Sequence, residues 1–156
     1  GAMSVDFIIE NLSRYRIAYV RRLGTYGPEN KALMEQLKAW AKQNGLFHDF
    51  AIIVGIAWDD VQTTLPDNCR YDVGVVISDD YTISDNNVKE ATLPGGEYAV
   101  FTIEHTAEAM QKAWSEIMPA LLRTNHRVDF TRPMLERYIP AMIQRHLCEI
   151  CVPVSK

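Results

Sequence analysis

The sequence predicts an α+β domain built from two tandem copies of one β-α-β-β module, related by a pseudo-twofold axis. Three observations carry this. The apolar period changes from two to 3.6 and back once in each half of the chain. The halves overlay in order: Ala18 falls near Ala99, "GIAWDD" from Gly55 on "LERYIP" from Leu135, and "CRYDVGVVIS" from Cys69 on "HLCEICVPVS" from His146, at offsets of 81, 80 and 77 residues. One such module cannot cover its own sheet, whereas two joined about an axis give a single antiparallel-rich sheet with two helices on one face. The other face is then expected to be partly open and to carry a ligand groove near the axis.

The elements follow in order. "YRIAYVRRL" from Tyr15 alternates as a strand, and "GTYGP" turns the chain. From Glu29 to Asn44 the stripe Leu33, Leu37, Trp40 and Ala41 predicts a helix, with Gly45 as its stop. "AIIVGIAW" and "RYDVGVVIS" are two strands joined by the polar loop Asp59–Asn68. In the second half "GGEYAVFTIE" is a strand. "TAEAMQKAWSEIMPALLRTN" is a helix with Thr106 as N-cap, the stripe Met110, Trp114, Ile117, Met118 and Leu121, and a kink or tightening at Pro119. "PMLERYIP" and "HLCEICVPVS" are the closing strands.

A length of 156 residues fits one domain. Gly1–Met3 read as a tag remnant, 4–156 as the domain, and about 5–80 and 88–156 as the repeats. The net charge of −4, with signs interspersed, argues against a nucleic-acid-binding face and suits a cationic ligand. No apolar run is long enough to span a bilayer, and no secretory signal is visible. Three cysteines suggest reduced thiols in a cytoplasm. Cys148 and Cys151 have C-x-x-C spacing, but in a strand they point to opposite faces, so they read as structural. The four histidines lack metal spacing, and neither a nucleophile elbow nor a phosphate loop is present. No metal or cofactor is expected.

One stretch resists a purely structural reading. In "DFTRPMLERYIP" from Asp129, strand alternation places Glu136 on the same face as Met134 and Tyr138. A carboxylate between large apolar groups either meets water at a sheet edge or is held in a pocket. In the overlay Glu136 falls on Ile56 and Tyr138 on Trp58, so one half offers an aliphatic group where the other offers a charge.

The stretches "YVRRLGTYG", "VGIAWDD…CRYDVGVVIS", "LPGGEYAVFTIEH" and "RPMLERYIP" resemble, in this order, the motifs of the GyrI-like effector-binding domains. These domains form the C-terminal ligand domain of some AraC-family and multidrug-sensing transcription regulators, and also occur free-standing. The likeness runs from about Val5 to Val154. Where the family reads P-x-F-E-x-Y this chain has "PMLERY", so Leu135 replaces an aromatic. In relatives that bind cationic aromatic drugs the glutamate lies in the pocket and faces the cation. The resemblance assigns that role to Glu136, beside Tyr138.

Candidate walls are Trp58, Ile56, Trp114, Met118 and Tyr26. Core packing is the other reading of Trp114, Met118, Trp58 and Tyr138, and an exposed turn the other reading of Tyr26. Tyr71 and Tyr98 read as sheet supports. The implied function is a stand-alone or excised effector-binding domain for amphipathic, cationic and aromatic small molecules. It would work with a DNA-binding domain in cis or in trans, and would itself bind neither nucleic acid nor membrane. Two alternatives stand beside it. One is a hydrolase of reactive small molecules, with Glu136 as general base and Tyr138 orienting the water. The other is a gyrase-inhibitor-like interaction protein.

Overall fold

In the computed structural model, which describes residues 6–155, the period-two stretches are strands and the two 3.6-period stretches are helices. The strands are β1 (Ile8–Leu12), β2 (Tyr15–Leu23), β3 (Ile53–Ala57), β4 (Arg70–Ile77), β5 (Lys89–Leu93), β6 (Gly96–Glu104), β7 (Arg127–Val128), β8 (Leu135–Tyr138) and β9 (Leu147–Ser155). The helices are α1 (Glu29–Gln43), α2 (Ala107–Arg123) and the single turn α3 (Pro140–Ile143). The proposed tag remnant lies outside the described residues. Helix α1 stops before Gly45, whose φ of 69° suits glycine. Helix α2 starts where Thr106 Oγ1 accepts the Ala109 N–H at 3.0 Å, a cap worth ~1 kcal/mol. It runs through Pro119 to Arg123.

All strands pair antiparallel, in the order β1-β6-β9-β8-β3-β4-β2-β5, with β7 added beside the end of β9. The halves meet where β3 pairs β8, through Ile53 with Tyr138, Val54 with Arg137 and Gly55 with Glu136. Their ladders share one register. Ala18 pairs Val75 as Ala99 pairs Val152, and Gly55 pairs Val73 as Glu136 pairs Ile150. This corrects the sequence overlay by one residue. The offset in β3 and β8 is 81, so the counterpart of Glu136 is Gly55 and that of Tyr138 is Ala57. A slip of one residue moves every side chain of a strand to the opposite face.

Three strands, β1, β5 and the two-residue β7, lie outside the expected modules, and β1 and β5 cross over. β1 pairs with β6 of the second half, and β5 pairs with β2 of the first. Each half thus lends an edge strand to the other. The crossing curls the sheet, and the curled-in face is filled by Ile17, Val54, Ile56, Tyr98, Val100 and Leu135.

Both helices cover the opposite face. Leu33, Leu37 and Ala41 of α1 pack on Ala18, Val73 and Val75, while Ala113, Ile117 and Leu121 of α2 pack on Ala99, Phe101 and Ile150. The row Val73, Gly55, Glu136, Ile150 runs under both helices. The groove at the axis therefore lies on the helix face, between α1 and α2. It does not lie on the other face, as the sequence suggested, because the curl buries that face in a core of its own.

Candidate functional site

Glu136 projects from β8 into the furrow between the helices. Its Oε1 accepts a hydrogen bond of 2.6 Å from Tyr71 Oη on β4, reaching across β3. That reach exists because position 55 has no side chain. A Cβ on Gly55 would stand 2.5 Å from Glu136 Oε1 and closer still to Tyr71 Oη. Solvent touches only part of Glu136, and protein packs round the carboxylate closely enough for desolvation to raise its pKa. The Tyr71 and Tyr138 hydroxyls pull it back in part. In return, burial first and the Glu136 charge second push the Tyr71 and Tyr138 phenols far up, so both stay neutral donors.

Two cavities open on either side of this carboxylate, and both include it in their walls. The larger, about 720 Å³, is a tryptophan lobe built by Trp58, Trp114, Phe130, Met134 and Tyr26 over the bare strand at Gly55 and Ala57. The smaller, about 500 Å³, is a methionine lobe built by Met34 and Lys38 of α1, Met110 at the start of α2, Tyr71, Tyr138 and His105. Each lies in the size range of small-molecule pockets. The asymmetry follows from the register: Ala57 leaves one side open, while its counterpart Tyr138 fills the other.

The tryptophan lobe is braced from behind. Tyr26 Oη donates to the Arg70 carbonyl at 2.7 Å and accepts the Asp59 N–H at 3.0 Å, and its ring meets Tyr71 edge-on with centroids 6.2 Å apart. Trp58 donates its indole N–H to Asp72 at 2.7 Å, and the Arg70 guanidinium lies over its ring at 5.9 Å. Asp72 is itself buried and is gripped by Arg21 through two bonds of 2.7 and 2.9 Å. Asp59 closes on Arg70, which holds its carboxyl below the usual range.

Of the residues expected at the site, Glu136, Tyr138, Trp58, Trp114 and Tyr26 come together at the groove. Two do not. Ile56 is fully buried on the curled-in face, one residue out of phase with Gly55. Met118 lies one turn beyond Trp114 on α2, half exposed and outside the walls of both lobes. Tyr71, read as a sheet support, is instead the hydrogen-bond partner of the central carboxylate. Its parity with Val73 could have placed it on the helix face. Gly55 and Phe130 carried no signal in the sequence.

Cys148 and Cys151 are free, buried and on opposite faces; burial pushes each thiol up to about 12. Among the described residues no group of His, Cys, Asp and Glu could hold a metal ion, and no helix is long and apolar enough to cross a membrane.

Residues 6–155 match the family model of the GyrI-like small molecule binding domain. The chain is 44% identical over 148 residues to the SPbeta prophage-derived putative transcriptional regulator YosT of Bacillus subtilis (strain 168), covering 94% of this chain and 97% of that protein. Its fold is similar to the C-terminal domain of EcmrR, with TM-score 0.75, 12% identity and 99% of each chain covered. In the EcmrR–DNA complex the match spans 59% of the EcmrR chain. It is also similar to SAV2435, solved bound to tetraphenylphosphonium, with TM-score 0.59, 13% identity, and 96% of this chain and 94% of that one covered.

Proposed function

The chain belongs to the GyrI-like small-molecule-binding family, and we propose that it binds amphipathic aromatic cations in the groove between α1 and α2, with Glu136 as the counter-charge. One observation carries this reading. The central carboxylate is desolvated, yet the groups that act on its charge are two neutral tyrosine hydroxyls. A buried charge without a cation is costly, and a lipophilic cation entering the groove supplies one. The aromatic walls add cation–π attraction of ~0.5–2 kcal/mol each. The tetraphenylphosphonium bound by SAV2435 has this chemistry, which supports the reading.

The likeness to YosT and to a domain of the DNA-bound EcmrR supports a further step. The domain would report ligand occupancy to a DNA-binding unit in cis or in trans. The test is calorimetric titration with tetraphenylphosphonium and with neutral triphenylphosphine oxide. Glu136→Gln should weaken the cation by roughly ten- to a hundredfold and leave the neutral compound nearly unchanged. Equal losses for both, or none, would overturn it.

A second reading, hydrolysis of a reactive small molecule, draws on the same 2.6 Å contact. A carboxylate of raised basicity beside a tyrosine is suited to activate water. It requires a product, formed by the wild type and lost in Glu136→Gln.

A further inference from the structure

We propose that the ligand is amphoteric: its cationic part lies over Glu136, and an anionic end reaches Lys38 in the methionine lobe. The proposal rests on the reading of Glu136 as a counter-charge and adds the second half of the recognition. The two lobes share that carboxylate but differ in the charge of their other walls. In the tryptophan lobe, Asp59 is closed on Arg70 and Arg132 on Asp129, so the further charge there is the acidic Asp60. The methionine lobe carries Lys31 and Lys38 against Glu35.

Lys38 is placed for an anion. Its side chain is only 25% exposed, and its ammonium stands 3.9 Å from Glu35 Oε1, beyond hydrogen-bond range. Its donors remain available to a better acceptor. The ring of His105 rests edge-on against Tyr138, with centroids 5.6 Å apart, and both rings line the same lobe as Lys38, beside Glu136. The first turn of α2, at Thr106 and Ala107, adds a partial charge of the same sign at the mouth of the lobe.

A ligand that is cationic throughout and fills both lobes brings its far end against like charge. One that ends in a carboxylate or sulfonate finds a partner there, through a charge-assisted hydrogen bond. The order of charges along the groove is thus acidic centre, then basic end. It selects a molecule with its positive charge in the middle or at one end and its negative charge at the other.

Rhodamine B and its ethyl ester test this, because they share one xanthylium cation and differ in a single free carboxylate. Fluorescence anisotropy at neutral pH should give rhodamine B an affinity about tenfold above that of the ester. That ratio should collapse toward one in Lys38→Met and persist in Lys38→Arg. Equal affinities of the wild type for the two dyes, or a ratio that Lys38→Met leaves in place, overturn the proposal. So do equal losses of both dyes in Lys38→Met. If the dyes bind equally and both weaken in Glu136→Gln, the amphoteric proposal falls and the counter-charge reading stands. If neither dye binds, or Glu136→Gln changes neither, the counter-charge reading falls and takes the proposal with it.

Discussion

Gly55 and Glu136 pair across the junction of the two halves, and the glutamate occupies the space that a side chain at 55 would need. They are also counterparts under the pseudo-symmetry. Two carboxylates at these positions would set like charges side by side and drive one to protonate. A glycine opposite a glutamate gives one charge and the room to hold it. Gly55 does not adopt a left-handed conformation, so Gly55→Ala acts through sterics alone. It should destabilise by roughly 1–3 kcal/mol, as overpacking does, and should displace the Glu136–Tyr71 pair. Urea denaturation and cationic-dye titration on the same variant should both show losses. Unchanged dye affinity would mean that the pair is not the binding element.

Tyr71→Phe removes the hydroxyl that donates to Glu136 and leaves the fold's shape intact. A buried acceptor that loses its partner costs ~1–3 kcal/mol. The penalty should be largest where Glu136 is ionised and shrink as the carboxylate is protonated. Glu136→Gln keeps an acceptor for Tyr71 and removes a desolvated charge, so without ligand it should be as stable as the wild type or more so. Chemical denaturation at two pH values separates the variants. A Tyr71→Phe penalty that does not depend on pH would show that the hydroxyl does not serve the charge.

The α+β class, both long helices, the Thr106 cap and the joining of two modules into one sheet are legible because apolar periodicity records which face of each element is buried. The strands β1 and β5 are not. "IIENL" and "KEATL" lie at the sheet margins and carry little burial pattern of their own. Their exchange between halves is set by contacts far apart in sequence. The groove lies on the helix face instead of the other face for the same reason, since the curl that closes the other face depends on that exchange. The sequence overlay sets Ile56 opposite Glu136, where the ladders place Gly55, because it is one residue out of register, and no local signal distinguishes offsets of 80 and 81. Tyr71 was missed because its role appears only once β3 places a bare backbone between it and Glu136.

Trp58 and Trp114 face the same lobe but should respond differently to substitution. Trp114 is 37% exposed on α2 and contributes a wall. Trp114→Ala should weaken aromatic cations about three- to tenfold, the loss of one cation–π face, with little change in melting temperature. Trp58 holds the buried Asp72 through its indole N–H. Trp58→Phe keeps a ring in the lobe but removes a donor from a buried carboxylate, and should cost ~1–3 kcal/mol of stability. Thermal unfolding together with ligand titration places each tryptophan. Matching profiles for the two variants would mean that the wall and the brace cannot be separated.

The pH dependence of binding follows from the direction in which burial moves Glu136. Its carboxyl is raised above the ordinary glutamate range in the folded state. Protonation therefore favours the ligand-free fold. That stabilising contribution is complete below the unfolded-state pKa of about 4.3 and is lost as pH rises through the higher folded value. Cation binding runs the other way, because it needs the ionised form. Affinity for a permanent cation such as tetraphenylphosphonium should fall as pH drops through the folded pKa, tending to about tenfold per pH unit below it. Asp59 is held low by Arg70, and Asp129 is down to about 2 through Thr131 and Arg132, so neither contributes in this window. His105 does face the groove, but burial and the Lys38 charge hold it below the usual histidine range, and its protonation would add repulsion only at lower pH. Glu136→Gln retains His105 and isolates its share. Calorimetric titrations over a pH series that runs downward through the folded-state titration of Glu136 should slope in the wild type and stay nearly flat in Glu136→Gln. A flat wild-type profile would remove the carboxylate from cation recognition, and equal slopes in both proteins would transfer the dependence to His105.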